Sequence, residues 1–184
     1  MPKVTDEHRE ERRRQILDGA RQAFGQRGYE GATVPMLEQE IGLSRGAIFS
    51  YYPSKLELFV ALAEEDQRKL GELWLEEGFE AVVRHIGDED PEWIGVYLDV
   101  GRMLRSDDAL RARWLAFNPE LQAKLTERLG ELQAAGELRS DLELSSIGRF
   151  LGVVFDGLAL QQGVRFGIDV EGTLELVRSA LAPK

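Results

Sequence analysis

Between residues 44 and 55 the chain carries Ser44-Arg45-Gly46-Ala47, then Phe49-Ser50-Tyr51, then Lys55, side chains suited to the edges and backbone of a nucleic acid. Arg45 offers two parallel donors, the arrangement that guanine O6 and N7 accept, and the small Gly46 and Ala47 leave room for a base edge or a thymine methyl. Phe49 adds an apolar contact. Ser50 and Tyr51 add hydroxyls for a base or a phosphate, and Lys55 follows where a phosphate would lie. Thr33, followed by Val34 and Pro35, offers a hydroxyl and a helix N-terminus to a further phosphate.

Such side chains need helices to aim them, and the surrounding sequence reads as helix throughout. Alternating valine-rich runs bounded by tight-turn dipeptides are lacking, so the fold class is all-α, with about nine helices. A first helix runs from about Glu7 to Arg27 and stops at Gly28, a residue able to take the left-handed conformation. Thr33 is placed to cap a second helix, with Pro35 in its first turn where a missing N–H costs nothing. Gly42-Leu43 is a turn, and Ser44 caps a third short helix through about Tyr51. Two short helices joined this way form the helix-turn-helix pattern, whose second helix enters the major groove. Ser54-Lys55-Leu56-Glu57 is a capping box that opens a long fourth helix. Asp90-Pro91 and Asn118-Pro119 start later helices, and the last two span about 143 to 164 and 170 to 181. With no internal repeat or low-complexity linker, the division falls at the fourth helix. Residues 1–53 form a three-helix DNA-binding unit, and residues 54–184 form a helical effector-binding and dimerisation unit.

Charge follows the same division. Of the net −10, residues 1–55 contribute nine Lys or Arg against eight Asp or Glu, and the rest contributes 14 against 25. The acidic body would repel DNA and so orient the molecule upon it. There is no cysteine, and His8 and His85 are too far apart for a histidine-based metal site, so neither thiolate chemistry nor a metal is expected. No run approaches the roughly 20 apolar residues of a membrane span, and the charged N-terminus is unlike a signal peptide. The expected location is the cytoplasm, and no membrane partner is expected.

Two rival classes can be read. An all-α enzyme would draw on His85 with Asp88, Glu89 and Asp90, or on Glu64, Glu65 and Asp66, but adjacent carboxylates do not share a helix face. No H-E-x-x-H, Ser-His-Asp order or glycine-rich phosphate loop occurs. A helical protein-interaction module without DNA binding would show no retention on heparin or DNA at low salt.

In the body, Arg102 and Arg105 share a helix face, with Tyr97 and Trp93 a turn or more before them, and Arg128 lies on a later helix. Together with Trp74 these make a candidate effector site for a carboxylate, which guanidinium binds through two donors. In an acidic body the same arginines also have ordinary ion pairs open to them.

Phe24, Gly28, Tyr29, Thr33, Ile41-Gly42-Leu43-Ser44, Ala47-Ile48-Phe49, Tyr52 and Lys55-Leu56-Glu57-Leu58-Phe59 together resemble the N-terminal signature of the TetR family of bacterial regulators. Gly136-Glu137-Leu138-Arg139-Ser140-Asp141 resembles that family's turn before its last two helices. The resemblance implies a homodimeric transcriptional regulator, usually a repressor, on a palindromic operator, released or modulated by a small molecule. It implies a dimer interface from the last two helices, here through Phe150, Leu151, Val154, Phe155, Leu158, Leu174, Val177 and Leu181. Pro35 and Ser50 depart from it, standing where members often carry a basic or bulky aromatic residue. Arg45 to Phe49 and the stretch from Leu98 to Trp114 are similar to the actinobacterial aconitase-repressor branch, which implies citrate with a divalent cation as effector and no obligatory cofactor. Arg128 matches a basic position for that ligand, and Arg178 stands where an acidic group would help hold the cation.

Overall fold

The computed structural model describes residues 6–184, the side chain of Tyr97 apart. Ten α-helices are present among them and no strand: α1 (Asp6–Gly31), α2 (Val34–Ile41), α3 (Arg45–Tyr51), α4 (Lys55–Glu77), α5 (Phe79–Asp88), α6 (Pro91–Ser106), α7 (Asp108–Leu115), α8 (Pro119–Ala134), α9 (Leu144–Gly163) and α10 (Val170–Leu181).

Local chemistry sets most of the boundaries. Side-chain oxygens of Ser44, Ser54, Asp90, Asp107, Asn118 and Asp169 each accept a backbone N–H in the first turn of the helix that follows. Thr33 stands at the N-cap of α2 but makes no such bond. Pro35 explains this, because it removes one of the two N–H groups an N-cap oxygen can reach. Gly28, at φ 66° and ψ 174°, breaks α1 one turn before its end. The Tyr29 N–H there donates instead to Asp99 of α6, at 2.8 Å.

Two apolar cores result. The first joins Ile16, Ala20 and Phe24 of α1 to Leu37, Ile41 and Ile48 of the helix-turn-helix and to Leu58, Phe59 and Leu62 of α4. Phe24 meets Phe59 edge-on, with ring centroids 5.1 Å apart. The second is built from α5, α8, α9, α10 and the far half of α4, around Trp74, Val83, Ile147, Leu151 and Leu174. Helix α6 serves both: Trp93, Val96 and Val100 enter the first core and Ile94 enters the second. At one point it meets α9 backbone to backbone, for a Cβ added to Gly163 would lie 3.0 Å from the Gly95 nitrogen.

The last two helices differ from the expectation for the interface. Leu151, Leu158, Leu174, Val177 and Leu181 are buried in this chain's own second core, while Val154 and Phe155 pack half-buried against it. Amphipathic periodicity marks an apolar face without saying which protein covers it. The apolar side chains left exposed on α9 are Phe150, Val153 and Leu160, a stripe at helical spacing, with Leu176 exposed on α10.

Candidate nucleic-acid interface and effector cavity

The recognition elements are seated by backbone contact. At Gly19 of α1 an added Cβ would lie 2.7 Å from the Ile41 Cα and 2.9 Å from the Glu40 oxygen, so α1 and α2 touch main chain to main chain. Gln15 adds a hydrogen bond from its Nε2 to the Ile41 oxygen at 2.9 Å. Gly42, at φ 74°, turns the chain, and Glu38 reaches across the turn to accept the Arg45 N–H at 2.6 Å. Ile48, on the inner face of α3, is fully buried. The opposite side of α3 is thereby held outward.

On that side Arg45, Gly46 and Ser50 are exposed, while Ala47, Phe49 and Tyr51 are half-buried. The Arg45 guanidinium lies 5.8 Å from the Phe49 ring centroid, near the outer limit of a cation–π contact, and has no carboxylate partner among the described residues. Nothing lies within 4 Å of a Cβ placed on Gly46. The Ser50 hydroxyl donates to the Ala47 carbonyl at 2.7 Å, which leaves its oxygen lone pairs free. Thr33 and Pro35 are exposed at the start of α2, and Val34 is half-buried.

Lys55 is differently placed. Its ammonium donates to the carbonyls of Tyr29 and Ala32, at 2.7 and 3.0 Å, and sits 4.3 Å from the Tyr29 ring centroid. It therefore closes the C-terminal end of α1, where carbonyls lack helical partners.

The pairing of the arginines shows what residue types alone did not. Among the described residues, Arg9, Arg13, Arg14, Arg27 and Arg45 make no ion pair, and Arg12 bonds only to Gln15. In the body, Arg68, Arg84, Arg102, Arg111, Arg113, Arg128, Arg139, Arg165 and Arg178 are all paired with carboxylates. Unpaired guanidinium groups thus gather on the helix-turn-helix unit, where a phosphate backbone would take them. The run Arg12-Arg13-Arg14 is the sequence signal for this unpaired cluster.

A cavity of about 560 Å³ opens among α4, α5, α6, α8 and α9. Leu70, Trp74, Leu125, Leu129, Leu151 and Phe155 make most of its wall, and Gln67, Asn118, Gln122, Thr126, Ser145, Arg149 and Asp156 supply its polar side chains. Of the residues expected at an effector site, Trp74 lines it. The structure does not bring Arg102, Arg105 or Arg128 there: Arg102 donates to Glu30 at 2.8 Å, Arg128 to Glu131 at 2.9 Å, and Arg105 is exposed. The Tyr97 side chain lies outside the described residues. Arg178 is paired with Glu80. Arg149 and Asp156, in the apolar sequence of α9, were not singled out by residue type. Asp156 is exposed at the rim, where partial desolvation still raises its carboxyl above its ordinary value.

Residues 16–62 match the bacterial regulatory proteins of the tetR family, and residues 61–183 match the C-terminal part of the BetI-type transcriptional repressors. The chain is 38% identical to the transcriptional repressor AcnR of Corynebacterium jeikeium, over 98% of this chain and 97% of that protein. It is also 38% identical to AcnR of Corynebacterium glutamicum, over 90% and 88% of the two. Among solved structures, Salmonella enterica GusR superposes with a TM-score of 0.74 at 20% identity, covering 96% of this chain and 95% of that one, a likeness of fold. With the helix-turn-helix, the second helical core and these matches in hand, the chain belongs to the TetR family, as a DNA-binding transcriptional repressor and not an enzyme.

Proposed function

We propose that this repressor grips a palindromic operator in the cytoplasm as a homodimer, and that an organic acid in the α8–α9 cavity modulates its hold. The DNA contacts are Arg45, Gly46, Ala47, Phe49, Ser50 and Tyr51 of α3, with Ser44 at its cap. Thr33, Val34 and Pro35 sit against the backbone, and Arg9, Arg12 and Arg13 of α1 neutralise further phosphates. Lys55 holds the end of α1 beside that surface and contributes its charge from there. The single observation that carries this reading is the partition of arginines, unpaired on residues 6–55 apart from Arg21 and largely paired beyond.

A homodimer places two α3 helices about 34 Å apart on successive major grooves. Its interface uses the exposed face of α9, through Phe150, Val153 and Leu160, with Leu176 of α10. Among the described residues no helix is long and apolar enough to cross a membrane.

Citrate with a divalent cation, the effector suggested by the likeness to aconitase repressors, fits the cavity poorly. Its lining has one guanidinium for three carboxylates, and Asp156 is its one carboxylate for a cation. Among the described residues no group of three or more His, Asp or Glu could hold a metal ion.

Selection of bound sequences from a random DNA library, followed by anisotropy titration at several salt concentrations, tests the proposal. A palindromic consensus and a salt slope that falls when Arg9 and Arg13 become Ala are expected. A consensus without two-fold symmetry, or a slope unmoved by those changes, would overturn it.

A further inference from the structure

Helix α9 lines the cavity with Ser145, Gly148, Arg149, Gly152, Phe155, Asp156 and Ala159, a single face in which two positions have no side chain. At Gly152 an added Cβ would meet nothing within 4 Å, so the backbone itself is part of the wall. Opposite, α8 presents two parallel rows. Leu121, Leu125 and Leu129 make an apolar row, and Asn118, Gln122 and Thr126 make a neutral polar one.

Charge enters this slot at two points only. Arg149 is the one cationic side chain in the lining and Asp156 the one anionic. They stand seven residues apart on one helix, roughly 10.5 Å along its axis, and make no ion pair with each other or with any other described residue. That sets Arg149 apart in a body where nine arginines are held by carboxylates. A guanidinium stays charged at any pH a protein survives, and beside an apolar cavity it is complementary to an anion. Asp156 stands exposed at the rim of the slot with no cation paired to it, and partial desolvation of its carboxyl there raises it above the ordinary aspartate value.

We propose that the cavity takes an organic acid in one direction, its carboxylate on Arg149 and its apolar body along Leu125 and Phe155 toward Trp74, with Asp156 rejecting a second carboxylate at the far end. This rests on the reading of the cavity as the effector site. A volume of about 560 Å³ suits a small acid of that kind. The ligand class is therefore a monocarboxylate with an apolar chain or ring, in place of a polycarboxylate.

Octanoate and octanedioate, of nearly equal length and differing by one carboxylate, are the probes, with citrate in the presence and absence of magnesium as a third arm. Binding to the full chain is measured by calorimetry and by thermal shift, for the wild type and for Arg149→Gln, Arg149→Lys and Asp156→Asn. Octanoate is expected to bind the wild type at least tenfold more tightly than octanedioate or either citrate sample. Arg149→Gln should weaken octanoate at least tenfold, and Arg149→Lys should recover part of the loss, which a merely misfolded cavity would not show. Asp156→Asn should narrow the octanoate preference at least tenfold. Equal binding of octanedioate or citrate by the wild type, no octanoate binding, or undiminished binding by Arg149→Gln would overturn the proposal. If the binding pattern holds but octanoate leaves operator affinity unchanged, the ligand class stands and the cavity's role as effector site falls.

Discussion

Arg21 of α1 and Asp66 of α4 are joined by one guanidinium nitrogen that donates to both carboxylate oxygens at 2.8 Å. The other nitrogen donates to Glu89 at 2.8 Å, and the Trp93 indole N–H donates to Asp66 at 2.6 Å from α6. The guanidinium also lies 4.3 Å from the centroid of the Trp93 ring. Asp66 is the buried charged residue of the described chain, 6% exposed. One arginine thus fastens the DNA-binding helices to three elements of the regulatory body.

Removing it strands a buried carboxylate. Because Arg21 is 31% exposed, Arg21→Met should cost about 2 to 3 kcal/mol of stability, less than the roughly 3 to 5 of a fully enclosed pair. Adding Asp66→Asn should return part of it. Urea denaturation measures both, and a loss under about 0.5 kcal/mol would show the pair to be screened by solvent.

Arg45 and Lys55 should separate cleanly in experiment. Arg45→Ala should leave stability within about 0.5 kcal/mol but cost about 1 to 3 kcal/mol of operator binding and relax base preference. Lys55→Met, which strands two carbonyls at the end of α1, should instead lower stability by about 2 kcal/mol. Denaturation and anisotropy on operator and random DNA distinguish them; equal loss on both DNAs for Arg45→Ala would deny it a base-reading role.

Three glycines of the recognition unit answer differently to alanine. Gly19→Ala drives a methyl into the Ile41 and Glu40 backbone and should cost about 1 to 3 kcal/mol. Gly42→Ala places a side chain at φ 74° and should cost about 1 to 2 kcal/mol. Gly46→Ala meets open space inside a helix and should raise stability by about 0.5 to 1 kcal/mol while weakening operator binding. Thermal melts with binding curves check all three.

Val153→Glu together with Leu160→Glu changes the exposed stripe of α9 and leaves the core alone. Sedimentation at micromolar concentration should then find a monomer, and operator affinity should fall roughly 100-fold with the loss of the second half-site. A variant that stays dimeric would place the interface elsewhere.

Asp156 carries a pH signature. Its carboxyl is raised in the folded chain, so the native state holds the proton more tightly than the unfolded one, and stability is lost as pH rises through the raised value. Asp156→Asn removes that loss. The variant should gain on the wild type between the ordinary aspartate range and neutrality, as denaturation at a series of pH values would show.

The recognition unit was legible because its signals are local. Ser44 caps, Gly42 turns and Pro35 opens a helix by chemistry that acts within four residues. Arg102 shows where such reading stops: its partner Glu30 lies 72 positions away, and no spacing on one helix reveals it. Lys55, read as a phosphate contact, also meets the carbonyls of Tyr29 and Ala32, 26 and 23 positions back, which its own helix does not reveal. Along α9, Leu151 and Val153 are both apolar, yet one is 4% exposed and the other 65%. Only the packed neighbours decide between core, cavity and outer face.

The meeting of Gly95 and Gly163 sets how a filled cavity could be felt at the DNA. Crossing helices usually lock by interleaved side chains, but at this point the two backbones bear directly on each other. Were α6 to pivot there, the crossing would act as a fulcrum. Asp99 and Arg102, which hold the end of α1, lie about 6 and 10.5 Å beyond it along α6, so a tilt of about 10° swings the outer grip by roughly 2 Å. A displacement too small to disturb either core would in this way be enlarged at the end of α1, where two half-sites must stay in phase with the double helix.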